Sequence, residues 1–205
     1  MHGNRQLFIF VIILSVTFSA GSLLAKPSEF QNWSTVSAKA SAGDFKFVVA
    51  EENRINSDGL FVFNVDFNVG RTFPFGTLYL GFKEEFDRKN DWEGEERPMI
   101  SLVTPIGSGV VTAENRLKFD LRFLPDEYKT RMRERLKIKV KLSKNWGWDV
   151  AEELLTTNGI IMESRFTSGF SWKPVSWLKA GAGYLWREKA SIRAHALTLS
   201  IGLSI

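Results

Sequence analysis

Cysteine is absent from the 205 residues, so disulfide frameworks and thiolate metal centres are excluded at the outset. Histidine is nearly as scarce, with two residues, which leaves little material for a general base of near-neutral pKa. Tyrosine occurs three times, beside 17 Phe and 7 Trp, so the aromatic load is mostly apolar and needs a surface to occupy. Beyond the N-terminus no apolar run approaches the ~18–20 residues of a membrane-crossing helix. The formal charge of +4 is too small for nucleic-acid binding without a concentrated basic patch.

What is present begins with a secretory signal. In "MHGNRQLFIFVIILSVTFSAGSLLA", Arg5 supplies a positive start, Leu7 to Val16 an apolar centre, and small residues follow. Residues 1–25 are read as a signal peptide, cleaved after Ala25 or after Gly21, and residues 26–205 as one domain. Loss of residues 1–25 removes Arg5 alone among charged residues and leaves +3. No cysteine follows, so lipid anchoring at the new terminus is excluded.

The rest of the chain alternates. Phe61, Phe63, Val65, Phe67 and Val69 share one phase, and Asn64, Asp66 and Asn68 the other. Leu117, Phe119, Leu121 and Phe123 alternate with Arg116, Lys118, Asp120 and Arg122. Phe45, Phe47 and Val49 stand against Lys46 and Glu52, and Leu78, Leu80 and Phe82 against Thr77, Tyr79 and Lys83. This is a strand period, not a helical one. Turn signals such as "SAGD", "INSDG", "GRTFPFG", "LPDEY", "SKNWG", "TTNG" and "WKPVSW" punctuate about eleven candidate strands. "EFDRKNDWEGEERP" reads as a solvated loop, and "MISLVTPIGSGVVTAEN" as either one strand or a hairpin.

Two folds bury such alternation: a soluble sandwich with its apolar face inward, and a transmembrane barrel with that face on lipid. The barrel is favoured. Strands near ~9–11 residues suit a tilted crossing, where soluble strands peak near ~5–6. Trp146, Trp148, Trp172, Trp177 and Trp186 lie beside turns or strand ends, the place of an interfacial aromatic girdle. The chain closes on "HALTLSIGLSI", with Leu199, Ile201, Leu203 and Ile205 in one phase. The expected fold is all-β: a single antiparallel up-and-down transmembrane β-barrel of about 10–12 strands. Single-chain bacterial barrels carry even numbers, so ten or twelve is expected.

That last strand resembles the assembly signal of bacterial outer-membrane proteins, although such signals usually finish on an aromatic residue. Residues 115–205 further resemble a family of uncharacterised outer-membrane barrels known only as a domain of unknown function. The likeness rests on "RMRERLKIKVKL", "WGWDVAEELL", "ESRFTSGFSWKP" and "LKAGAGYLW", with "NWSTVSAKA…FKFVVAEENR" fitting the opening hairpin. It implies the fold and a Gram-negative outer-membrane location, with lipid, lipopolysaccharide and the barrel-assembly machinery as partners. It supplies no function.

"RMRERLKIKVKL" places Arg131, Arg133, Arg135, Lys137, Lys139 and Lys141 on one strand face. On lipid each would cost ~2–4 kcal/mol at the midplane, so the lumen is their expected place. Glu134, on the opposite phase, is expected near an interface. Arg116, Lys118 and Arg122 extend the basic ladder, and Asp120, Asp149, Glu153 and Glu163 are its expected acids. A structural ion-pair ladder filling a narrow barrel, with a structural or interaction role in the envelope, is the first reading. A small anion-preferring channel for anionic solutes is the second.

A lipid-active enzyme comes third, with His195 its sole candidate base once His2 leaves. His195 shares its face with Leu197, where a catalytic serine would be needed. No enzyme, cofactor, metal site or nucleic-acid partner is expected. A soluble periplasmic sandwich is the rival fold.

Overall fold

The computed structural model describes residues 28–124, 127–189 and 192–205; the expected signal peptide lies outside them. The described chain is a meander: β1 (Ser28–Ala42), β2 (Phe45–Asn56), β3 (Gly59–Phe73), β4 (Gly76–Asp87), β5 (Gly94–Ile106), β6 (Val111–Phe123), β7 (Tyr128–Lys141), β8 (Trp146–Thr157), β9 (Ile160–Val175), β10 (Leu178–Lys189) and β11 (Arg193–Ser204). One turn of 3-10 helix, Arg88–Asn90, interrupts it. The connections are short. At β8–β9, Asn158 (φ 50°) and Gly159 (φ 81°) both adopt left-handed backbone, the Asn-Gly pair that two-residue hairpins prefer.

The strands close into one barrel. Sequential neighbours are antiparallel, and β1 meets β11 in parallel from Ser28↔Arg193 to Lys39↔Ser204. The count is therefore eleven, and the expectation of an even number is corrected. A parallel seam lets an odd meander close, because the first and last strands then run the same way. We call the end that holds Ser28 the upper end and the end that holds Ile205 the lower end.

The register fixes the tilt. From Ser28 the paired row runs through Arg193, Glu188, Ser164, Leu154, Glu134, Leu117, Leu102, Leu78, Arg71 and Phe45. It returns to β1 at Ala42, fourteen residues beyond its start. With ~3.4 Å per residue and ~4.8 Å between strands, that stagger tilts the strands by roughly 40°. A twelve-residue strand such as β11 then spans about 30 Å along the axis, enough for a ~25 Å apolar band.

The two faces differ in kind. Leu80, Phe67, Phe47, Phe119, Phe170, Leu199 and Ile201 point outward and are exposed. Gln31, Asn64, Lys83, Glu85, Arg97, Asp120, Arg131 and Glu153 are buried in the interior. Apolar burial is small, centred on Trp33, Leu185 and Ala196. Most charges of the strands lie inside, while Glu51, Glu84, Glu96 and Glu134 stand exposed on the outer face.

Three expectations change. The stretch read as a loop supplies the end of β4 and the start of β5, because inward charges such as Glu85, Glu95 and Arg97 give a strand the composition of a loop. The ambiguous segment is a hairpin, turning at Gly107 and Gly109, both with positive φ. Glu134 lies midway along β7 on the outer face, where Asn115 on β6 donates a hydrogen bond to its carboxylate at 3.3 Å.

Candidate functional site

The alternation that makes β7 a strand turns Arg131, Arg133, Arg135, Lys137 and Lys139 toward β6 and β8 partners inside the barrel. Asp120, 1% exposed, is the hub of the upper half. Its Oδ2 accepts from Nε and Nη2 of Arg131 at 2.9 and 2.7 Å. The same atom accepts from Nε and Nη2 of Arg133 at 3.0 and 2.9 Å. Lys118 Nζ stands 3.6 Å from Oδ1. Three cations thus share one carboxylate.

Lower down, Glu114 accepts from Arg135 at 2.8 Å and Lys139 at 2.6 Å. Lys137 pairs with Asp149 at 2.9 Å. Arg116 reaches Glu153 at 2.5 Å, and Arg165 approaches the same group at 3.4 Å. Glu163 is bonded by Arg165, and Lys189 lies 3.4 Å from it. Arg122 bonds Glu95 at 2.5 and 2.8 Å. Lys141 is exposed at the lower rim.

Several interior residues escaped the sequence reading. Arg97 clamps Glu85 at 3.0 and 2.6 Å and Glu95 at 2.6 Å from each of two nitrogens. Such bidentate pairs are strong and geometrically specific. Arg54 pairs with Glu52 at 2.7 Å, and Lys83 with Asp66 at 2.9 Å. Trp33 is the one indole inside the barrel among the described residues, with Arg54, Arg165 and Arg187 at 4.1, 5.4 and 5.8 Å from its ring. Its Nε1 donates to Gln31 Oε1 at 2.8 Å. The available signal was phase: Gln31, Trp33 and Thr35 alternate with outward Phe30 and Val36.

Three cavities lie in the barrel and at its lower rim, the upper two sharing Arg54, Arg133 and Arg165 as walls. An upper cavity of about 380 Å³ lies among Arg97, Arg131, Arg133, Arg165 and Arg187. A middle one of about 360 Å³ lies among Lys83, Arg116, Lys118, Arg135 and Glu153. A lower one of about 330 Å³ opens among Lys139, Lys141, Lys144, Lys173 and Lys179, beside Trp146 and Trp148. Arginine dominates the upper half and lysine the lower rim.

On the outer face Trp146 and Trp172 stack at 6.1 Å, Trp148 Nε1 donates to Ser168 Oγ at 3.0 Å, and Trp177 is exposed in the β9–β10 turn. These four occupy the lower end. Trp186, on β10 opposite His195, sits toward the upper end. Leu199, Ile201, Leu203 and Ile205 are all exposed. His195 also points outward, against the Tyr184 ring and its hydroxyl. Among the described residues no group of three or more His, Asp or Glu is placed to hold a metal ion.

Fold and interior together define a closed β-barrel domain with a charged, basic-rich inside and a largely apolar outside. Residues 30–196 match the family described as "Protein of unknown function (DUF2490)", and the chain belongs to it. No curated protein sequence matches the chain.

Proposed function

We propose that this is an outer-membrane β-barrel of the Gram-negative envelope, exported through its N-terminal signal, with a structural or interaction role. The inversion of polarity carries the reading. Phe, Leu, Val and Ile side chains stand exposed around the outer face, far beyond the few hundred Å² that soluble monomers tolerate. Ion pairs fill the inside instead. A transmembrane barrel needs this arrangement, since its outside meets lipid and its closed ladder leaves no unpaired edge. Lipid, lipopolysaccharide and the barrel-assembly machinery are its partners under this reading.

Fractionation with heat-modifiable gel migration tests it. Protein that stays in the outer-membrane fraction and migrates faster unheated supports the reading. Protein released by osmotic shock, with no such shift, overturns it.

A second reading, an anion-preferring channel, is favoured by the lysine rim and by the two interior cavities that share Arg54, Arg133 and Arg165. Conductance in a planar bilayer under a salt gradient separates the two. Steps with an anion-favouring reversal potential, diminished when Arg133, Arg135 and Lys137 become Gln, select the channel. A silent bilayer with folded protein selects the structural barrel.

A further inference from the structure

We infer that the upper cavity is a binding site for a compact, multiply charged oxyanion of the phosphate class, taken up as a free solute. Two independent features point there. The first is charge imbalance: Arg131 and Arg133, both lining this cavity, share the single carboxylate of Asp120 with Lys118. The second is an unfilled donor. Arg187 is 92% buried and lines the same cavity, its Nε has no hydrogen-bond partner, and the nearest Glu163 oxygen is 4.0 Å away. A buried guanidinium donor without an acceptor is costly, and one carboxylate at 4.0 Å that Arg165 and Lys189 also share leaves the Arg187 charge largely unbalanced beside the cavity.

Guanidinium groups suit this ligand because their planar fork matches the paired oxygens of phosphate. The Trp33 ring lies 5.8 Å from the Arg187 guanidinium carbon. The volume of about 380 Å³ falls in the ~300–1,000 Å³ range of small-molecule sites. Hydrogen-bonded strands close the barrel sideways, so entry is through the upper mouth, which favours a solute over a lipid. The inference goes beyond membrane placement: a barrel that binds the anion and passes no current satisfies it.

The test is calorimetric titration of the full-length, detergent-solubilised protein with inorganic pyrophosphate, at ionic strength held constant with chloride. Saturable binding is expected in the folded wild type. Arg187→Gln should weaken it about tenfold or more, the scale of one charge-assisted hydrogen bond. Arg187→Lys should weaken it less, since the charge stays while the fork is lost. The lower-rim pair Lys173→Gln with Lys179→Gln should leave it within about twofold.

No saturable binding by folded wild type overturns the inference. So does binding that survives Arg187→Gln but is lost in the lower-rim pair, which would move the site. Displacement of pyrophosphate by phosphatidylglycerol micelles would assign the site to a lipid headgroup and overturn the solute. If Arg187→Gln does not fold, the wild-type titration and the lower-rim pair still decide.

Discussion

Asp120→Asn is the most direct probe of the ion-paired interior. The carboxylate, 1% exposed, accepts four hydrogen bonds from Arg131 and Arg133 and lies 3.6 Å from Lys118. Asparagine keeps the shape and removes the charge, leaving three neighbouring cations without the carboxylate that offsets them. Removing one partner of a buried ion pair costs about 3–5 kcal/mol, because the other charge stays desolvated. With a urea slope near 2 kcal/mol per molar, the unfolding midpoint in detergent should fall by about 2 M. Phosphate in place of chloride at matched ionic strength should recover part of that loss if an anion takes over the vacated role. A shift below about 0.5 kcal/mol would refute the reasoning, since lumen water would then be solvating Arg131 and Arg133 well enough to make Asp120 dispensable.

Leu80→Arg tests what the outer face meets: Leu80 is 63% exposed, and an arginine there should cost about 2–4 kcal/mol in refolding into bilayers if the site faces lipid near the midplane, but nothing measurable if it faces water. Trp33→Ala should lower stability by about 3–5 kcal/mol, as for other buried large-to-small changes, and should raise conductance if the indole and its three arginines form the constriction. A flat result in both thermal melting and bilayer recording would remove Trp33 from that role. Gly183→Ala should destabilise by about 1–3 kcal/mol through overpacking, since its Cβ would meet the Ser168 carbonyl oxygen at 2.7 Å and the Gly169 Cα at 3.0 Å; denaturant melts near wild type would show that β9 and β10 give way there.

Much of the fold is legible in the chain itself. A period of two in side-chain polarity, as in Phe119, Leu121 and Phe123 against Lys118, Asp120 and Arg122, can only be a strand with two unlike faces. Glycine, asparagine and proline at the breaks marked most of the turns. What misled was charge: Glu85, Glu95 and Arg97 look like a solvated loop when water is assumed to be the only home for ions. The structure gives them one another instead.

Pairing belongs to the tertiary structure alone, because it is a property of register and closure. Alternation determined by itself which side chains of β7 share a face. It carried no information on which acid each would meet, how many strands would close, or that an odd count would be accommodated by a parallel β1–β11 seam. The stagger of fourteen residues around the barrel sets which depths on separate strands coincide. That coincidence brings Arg54 of β2, Arg165 of β9 and Arg187 of β10 around Trp33 of β1. Residues so far apart in sequence meet only because hydrogen-bond ladders fix register strand by strand, and no local pattern encodes the sum.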